Sequence, residues 1–136
     1  MLLYYLFRQG RNRGHYDITE NVAPMVVVQE HDPIKANFTA LTKGIYFDGI
    51  NKGIDCSCCE DRWVPLKTKA KGYPIPSIGY SDLVSYLKDW VENDASLQCA
   101  PSYILAWIHY HDGTKEEITV GSVRNRYHFF RFQQPS

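Results

Sequence analysis

The chain opens on an unbroken apolar run, Leu2 to Phe7, that stops at Arg8, the pattern of a buried strand. "RQGRNRGH" behind it is a polar turn, and the β-branched run Val26-Val27-Val28 predicts a central strand. Asp32 followed by Pro33 supplies an oxygen-bearing cap and a proline at the first helical position. Ile34, Phe38 and Leu41 then recur at i, i+4 and i+7, and Gly44 is placed to end the helix. An amphipathic helix over about 33–43, resting on those three residues, is the expectation.

"IYFDG" predicts a short strand running into a turn. A long loop at about 51–79 follows, carrying cysteines, three prolines and Lys67, Lys69 and Lys71. Ser81 is the expected cap of a second amphipathic helix at about 82–94. Its apolar stripe is Leu83, Leu87, Trp90 and Val91, with Asp82, Lys88, Asp89 and Glu92 facing water. "SYILAWIHY" and "KEEITV" flank Asp112-Gly113, a strong hairpin signal near the C-terminus. "RNRYHFFRF" predicts a last strand. Together these elements predict one α+β domain spanning residues 1–136, with a mostly antiparallel sheet.

Composition agrees with one ordinary core. The chain has 136 residues, 44% of them hydrophobic and 22% charged, which excludes wholesale disorder. Formal net charge is zero, so no global field draws the protein to nucleic acid or a membrane. No apolar run approaches the ~20 residues needed to span a bilayer. "MLLYYLF" lacks the basic start and cleavage site of a signal peptide. The expectation is a cytoplasmic protein with no membrane partner.

Three of the four cysteines fall within four residues, in "DCSCCEDRW" from Asp55 to Trp63. This clustering argues against a disulfide framework, whose cysteines spread so that each bridge closes a loop. It points to free thiols in a reducing cytosol, with one bridge to Cys99 as the alternative. Zinc would take thiolates, and a site can be written from Cys56 and Cys58 with Cys99 and His109 or His111, although no second cysteine pair is present. A nucleophilic cysteine needs a nearby cation, whereas Asp55, Glu60 and Asp61 are closer in sequence than any histidine. A compact turn accounts for the same residues without special geometry. In it the cysteines are small buried hydrophobes, Arg62 pairs with Asp55 or Asp61, and Trp63 anchors the loop. No cofactor is expected, with zinc as the metal to test.

Phe47-Asp48-Gly49, Asp55-Cys56, Cys58-Cys59 and Asp61-Arg62-Trp63 resemble a signature of small tailed-bacteriophage proteins. In that group a strand–helix unit leads into Phe-Asp-Gly and then Asp-Cys-x-Cys-Cys-Gly-Asp-Arg-Trp. Glu60 stands where the group has glycine; were a positive φ needed there, the turn would be strained or remade. The resemblance covers about a third of the chain. What it implies is origin, a phage or prophage protein acting in bacterial cytoplasm.

His109 and His111 would share a strand face at i, i+2, a spacing suited to a metal but equally to polar decoration of a hairpin. Charge is segregated despite the zero total: Arg8, Arg11 and Arg13 lie near the start, Arg124, Arg126 and Arg131 near the end, and no acid follows Glu117. Arginines interleaved with rings grip phosphates and stack bases. The alternation in "RNRYHFFRF" equally suits a strand with a wet and a dry face.

No catalytic constellation is complete, which leans away from an enzyme. The expected function is a non-enzymatic phage accessory protein that binds and inhibits or sequesters a host or defence component, either a protein or an anionic nucleotide. Its expected binding residues are Arg124, Arg126, Tyr127 and Arg131, then Arg11 and Arg13. Two alternatives stand beside it: a small metal-dependent hydrolase or nuclease using His109 and His111 with an acid such as Asp61, and a minor virion or assembly protein. A homo-oligomer is compatible with all three.

Overall fold

A computed structural model describes residues 1–124. Its frame is a four-stranded sheet ordered β1 (Leu3–Arg8), β2 (Met25–Glu30), β5 (Ile104–His109) and β6 (Lys115–Thr119). β1 and β2 pair antiparallel, as do β5 and β6, while β2 and β5 run parallel. The fold is α+β with a mostly antiparallel sheet, as the pattern predicts. The parallel pair requires a long crossover, and the chain from His31 to Tyr103 supplies it.

β2 is buried along its whole length. A central strand covered on both faces needs no polar face, which explains the continuous valine run. Val26 and Val28 join Tyr5, Phe7, Ile45 and Trp63 on one side of the sheet, together with helix α1 (Pro33–Thr42). Met25 and Val27 turn to the other side, among Leu83, Leu87, Val91, Leu105, Ile108 and Val123. That second core is roofed by α2 (Leu83–Asn93), with α3 (Ala95–Gln98) and α4 (Val120–Arg124) beside it. β3 (Ser77–Ile78) and β4 (Ser81–Asp82) form a small antiparallel pair leading into α2.

The cap of α1 is as expected: Asp32 accepts from the Lys35 backbone N–H at 2.8 Å, and Gly44 closes the helix with φ +95°. Its buried face is not. Pro33, Ala36 and Ala40 point inward, while Ile34, Phe38 and Leu41 face solvent, Phe38 being 66% exposed. The small stripe wins because alanine lets the helix lie close against β2, where larger side chains would hold it off.

Four further expectations are corrected. "IYFDG" forms no strand; Ile45 is buried and residues 49–53 are turns. Asp82 rather than Ser81 caps α2, accepting from the Ser85 N–H at 3.1 Å. Trp90 is only partly buried, with Val84 taking its place in the inner stripe. Arg124 ends helix α4, so the last expected strand does not begin there, and its remaining positions lie outside the described residues.

Candidate functional site

The "DCSCCEDRW" passage is built around Arg62, which is 4% exposed. Its Nη1 donates to Gln9 Oε1 at 2.7 Å and to the His15 carbonyl at 2.8 Å, and Nη2 donates to the Asn12 carbonyl at 2.8 Å. Nε lies 3.2 Å from an Asp17 carboxylate oxygen. Trp63, 1% exposed, fixes the next position in the core. Asp55 accepts from the Arg62 N–H at 2.8 Å and from the Tyr46 hydroxyl at 2.6 Å. Burial and then the Asp55 carboxylate push the Tyr46 phenol up to about 12, so it stays a donor. Arg62 and Trp63 therefore have the scaffolding roles the compact-turn reading assigns them.

Asn12, almost fully buried, completes the frame from the other side. Its side chain accepts from the Cys56 N–H at 2.9 Å and donates to the carbonyls of Cys56 and Glu60 at 3.1 and 2.9 Å. Glu60 has no positive φ, so the glycine of the resembling signature is not needed for conformation at this position. The positive φ of +60° falls instead on Asp48, in the Phe-Asp-Gly turn.

The cysteines themselves are not the buried hydrophobes expected. Cys58 and Cys59 are exposed and Cys56 is half-buried. Cys56 and Cys58 are joined as a disulfide, and Cys59 Sγ lies 3.5 Å from Cys58 Sγ. The bridge corrects the expectation of free thiols for these two residues, and Cys99, the bridge partner considered from the sequence, is free. Cys99 is exposed just after α3.

The histidines have separate surroundings. His109 is buried at the end of β5, its Nε2 donating to the Asn21 carbonyl at 2.8 Å, and burial holds its imidazole below the ordinary value. His111 sits beyond the strand, 3.4 Å from a Glu30 carboxylate oxygen and edge-on to His31 at 5.0 Å between ring centres. Asp61 accepts from the Ile50 N–H at 2.9 Å. Among the described residues, no three His, Cys, Asp or Glu side chains are grouped as a metal ion would require.

Of the expected binding residues, Arg126, Tyr127 and Arg131 lie outside the described residues. Arg124 is exposed and borders a groove with Lys88, Glu92 and Gln98. Arg13 is exposed with φ +60°. Arg11 lies over the Tyr16 ring, 5.5 Å from its centre.

Arg11 borders a constellation that sequence reasoning missed. A cleft of about 330 Å³ opens between the end of β1, the segment after it, and α2, lined by Arg8, Tyr16, Tyr86, Asp89, Trp90 and Asn93. Arg8 lies 5.7 Å from the Tyr86 ring centre and donates to its hydroxyl at 3.2 Å. Tyr16 and Trp90 meet edge-to-face at 6.1 Å. The available signal was Tyr86 and Trp90 at i, i+4, flanking rather than filling the buried stripe of α2. Arg8 and Tyr16 come from other segments, so only the fold unites them.

No helix among the described residues is long and apolar enough to cross a membrane. No curated protein and no solved structure matches the chain. A family model described as "Domain of unknown function (DUF7296)" matches residues 2–127, nearly the full length, and the chain belongs to that family.

Proposed function

We propose that this is a non-enzymatic binding protein of phage origin that acts in the bacterial cytoplasm, sequestering an anionic nucleotide used by the host or its defences. The observation that carries the reading is the cleft of Arg8, Tyr16, Tyr86 and Trp90, with Arg11 beside it. The half-buried rings of Tyr16, Tyr86 and Trp90 offer a stacking surface for a base, and guanidinium groups offer bidentate donors to phosphate. Asp89 on the same wall disfavours phosphate near itself but suits a donor such as a ribose hydroxyl or an exocyclic amine. The phage attribution rests on the Phe-Asp-Gly and Asp-Cys-x-Cys-Cys resemblance.

The hydrolase alternative lacks comparable support, because His109 is buried on the Asn21 carbonyl and, among the described residues, His109, His111 and Asp61 are not grouped as a metal would need. The test is to titrate the protein with a panel of ribonucleotides by calorimetry, following tryptophan fluorescence in parallel. Saturable micromolar binding is expected. Arg8→Glu should weaken it at least tenfold, about 1.4 kcal/mol, with the melting temperature little changed. Trp90→Ala should weaken it as far while also lowering the melting temperature, because Trp90 packs against the core beneath α2. Binding untouched by either substitution, or no binding across the panel, would remove the reading. Co-purification with virus particles would move the protein to the virion-component alternative.

A further inference from the structure

We propose that Cys56, Cys58 and Cys59 form a thiol–disulfide exchange site for a small thiol of the glutathione class. The site is independent of the nucleotide cleft and stands on different residues. Three sulfurs meet on one turn: Cys56 is bonded to Cys58, and Cys59 Sγ is 3.5 Å from Cys58 Sγ. Cys58 and Cys59 are both exposed, so an incoming thiolate has access to the central sulfur.

Three features of the surroundings support exchange over inert cross-linking. First, a bridge over one intervening residue closes almost no chain, so it adds little to stability through loop entropy. Second, the Cys58 backbone N–H donates to Cys56 Sγ at 3.3 Å, a donor placed to steady negative charge on the sulfur that leaves. Third, two of the acids that crowd the cysteines in sequence are engaged elsewhere. Asp55 is buried on the Arg62 and Tyr46 donors, and Asp61 accepts from the Ile50 N–H. Glu60 is exposed, where solvent screens its charge from the sulfurs.

The frame is built for repeated opening. Asn12 grips the backbone of Cys56 on both its N–H and its carbonyl, while Arg62 and Trp63 lock the far end of the turn. None of these contacts is made by a sulfur atom, so none requires the bond to be closed.

The chemistry balances with the thiol as the only co-reactant. Its thiolate attacks Cys58 Sγ, forming a mixed disulfide and releasing Cys56 as thiolate. A second thiol attacks the small-molecule sulfur of that mixed disulfide and releases Cys58. The net result is two thiols oxidised to one disulfide and the Cys56–Cys58 bond reduced to two thiols; the reverse reoxidises the pair. Cys59 supplies a resident shortcut. Its thiolate attacks Cys58 in the mixed disulfide, expels the small thiol, and moves the bridge to Cys58–Cys59.

The experiment incubates the full chain in buffers of reduced and oxidised glutathione, traps free thiols by alkylation, and maps them by mass spectrometry. The wild-type protein should interconvert reversibly between a state with Cys56 and Cys58 bridged and one with both free. Cys99 should form only mixed disulfides. Cys59→Ser should retain the Cys56–Cys58 bridge, and should lose the Cys58–Cys59 bridged species that the wild type forms during exchange. Cys99→Ser should change neither behaviour. If the wild-type turn never closes an internal bridge, and its cysteines glutathionylate as Cys99 does, the proposal fails; this outcome needs no variant. A wild-type protein in which no Cys58–Cys59 bridge is trapped at any glutathione ratio overturns the role given to Cys59.

Discussion

Asp55 accepts the backbone N–H of Arg62 at 2.8 Å through one carboxylate oxygen, while the other lies 3.9 Å from the Arg62 guanidinium. One acid thus holds both the main chain and the charge of the same arginine, and both partners are buried. The turn between them cannot open without exposing that pair. Arg62→Ala should therefore destabilise the fold by about 3–5 kcal/mol, measured by urea unfolding, because it strands Asp55 without its cation. Arg62→Lys should recover little, since an ammonium cannot reach Gln9, Asn12 and His15 together.

Gly49 gives a second measure of how closely this turn is packed. A Cβ there would overlap the Asp55 carboxylate and come within 2.8 Å of the Tyr46 ring. Gly49→Ala is expected to cost about 1–3 kcal/mol, read from the unfolding midpoint. Gly53, whose surroundings are open, is the comparison on the steric side, although its φ of +73° carries a backbone penalty of its own.

Histidine 109 sets a pH dependence. Burial depresses its pKa in the folded state, outweighing the opposing bond to Asn21, so the unfolded chain binds this proton more readily. The stability it contributes is fully present above the unfolded value of about 6.5. It is lost as pH falls from there towards the lower folded value. His109→Gln keeps an amide donor for Asn21 but does not titrate. Melting temperatures from pH 7.5 to about 5 should fall less steeply in that variant than in the wild type.

The reversed face of α1 predicts opposite outcomes for two neighbouring positions. Phe38→Ser should change stability by no more than about 0.5 kcal/mol, because the ring is largely in solvent. Ala36→Leu should cost about 1–3 kcal/mol by forcing α1 away from β2. Thermal unfolding of both proteins checks the assignment.

These cases show where the sequence is legible. The Asp32-Pro33 start, the valine strand and the Asp112-Gly113 hairpin are local signals with local causes, and each element forms where expected. The face of α1 is not a local property: two apolar stripes share the helix, and the room beneath it selects the smaller one. Arg62 was readable as a partner of Asp55 because they are neighbours in sequence. Its bonds to Gln9, Asn12 and His15 span about fifty positions and appear only in the fold. The cleft was hidden for the same reason, since Arg8, Tyr16 and Trp90 belong to three different segments.

The stretch from Arg8 to Asp17 serves two masters. Arg8 and Tyr16 face the ring-lined hollow, with Arg11 over the Tyr16 ring, and Gln9, Asn12 and Asp17 hold the sulfur-bearing bend. A single residue inserted into these ten positions would throw both sets out of step at once, so this short strap has less freedom to vary in length than the longer loops around it.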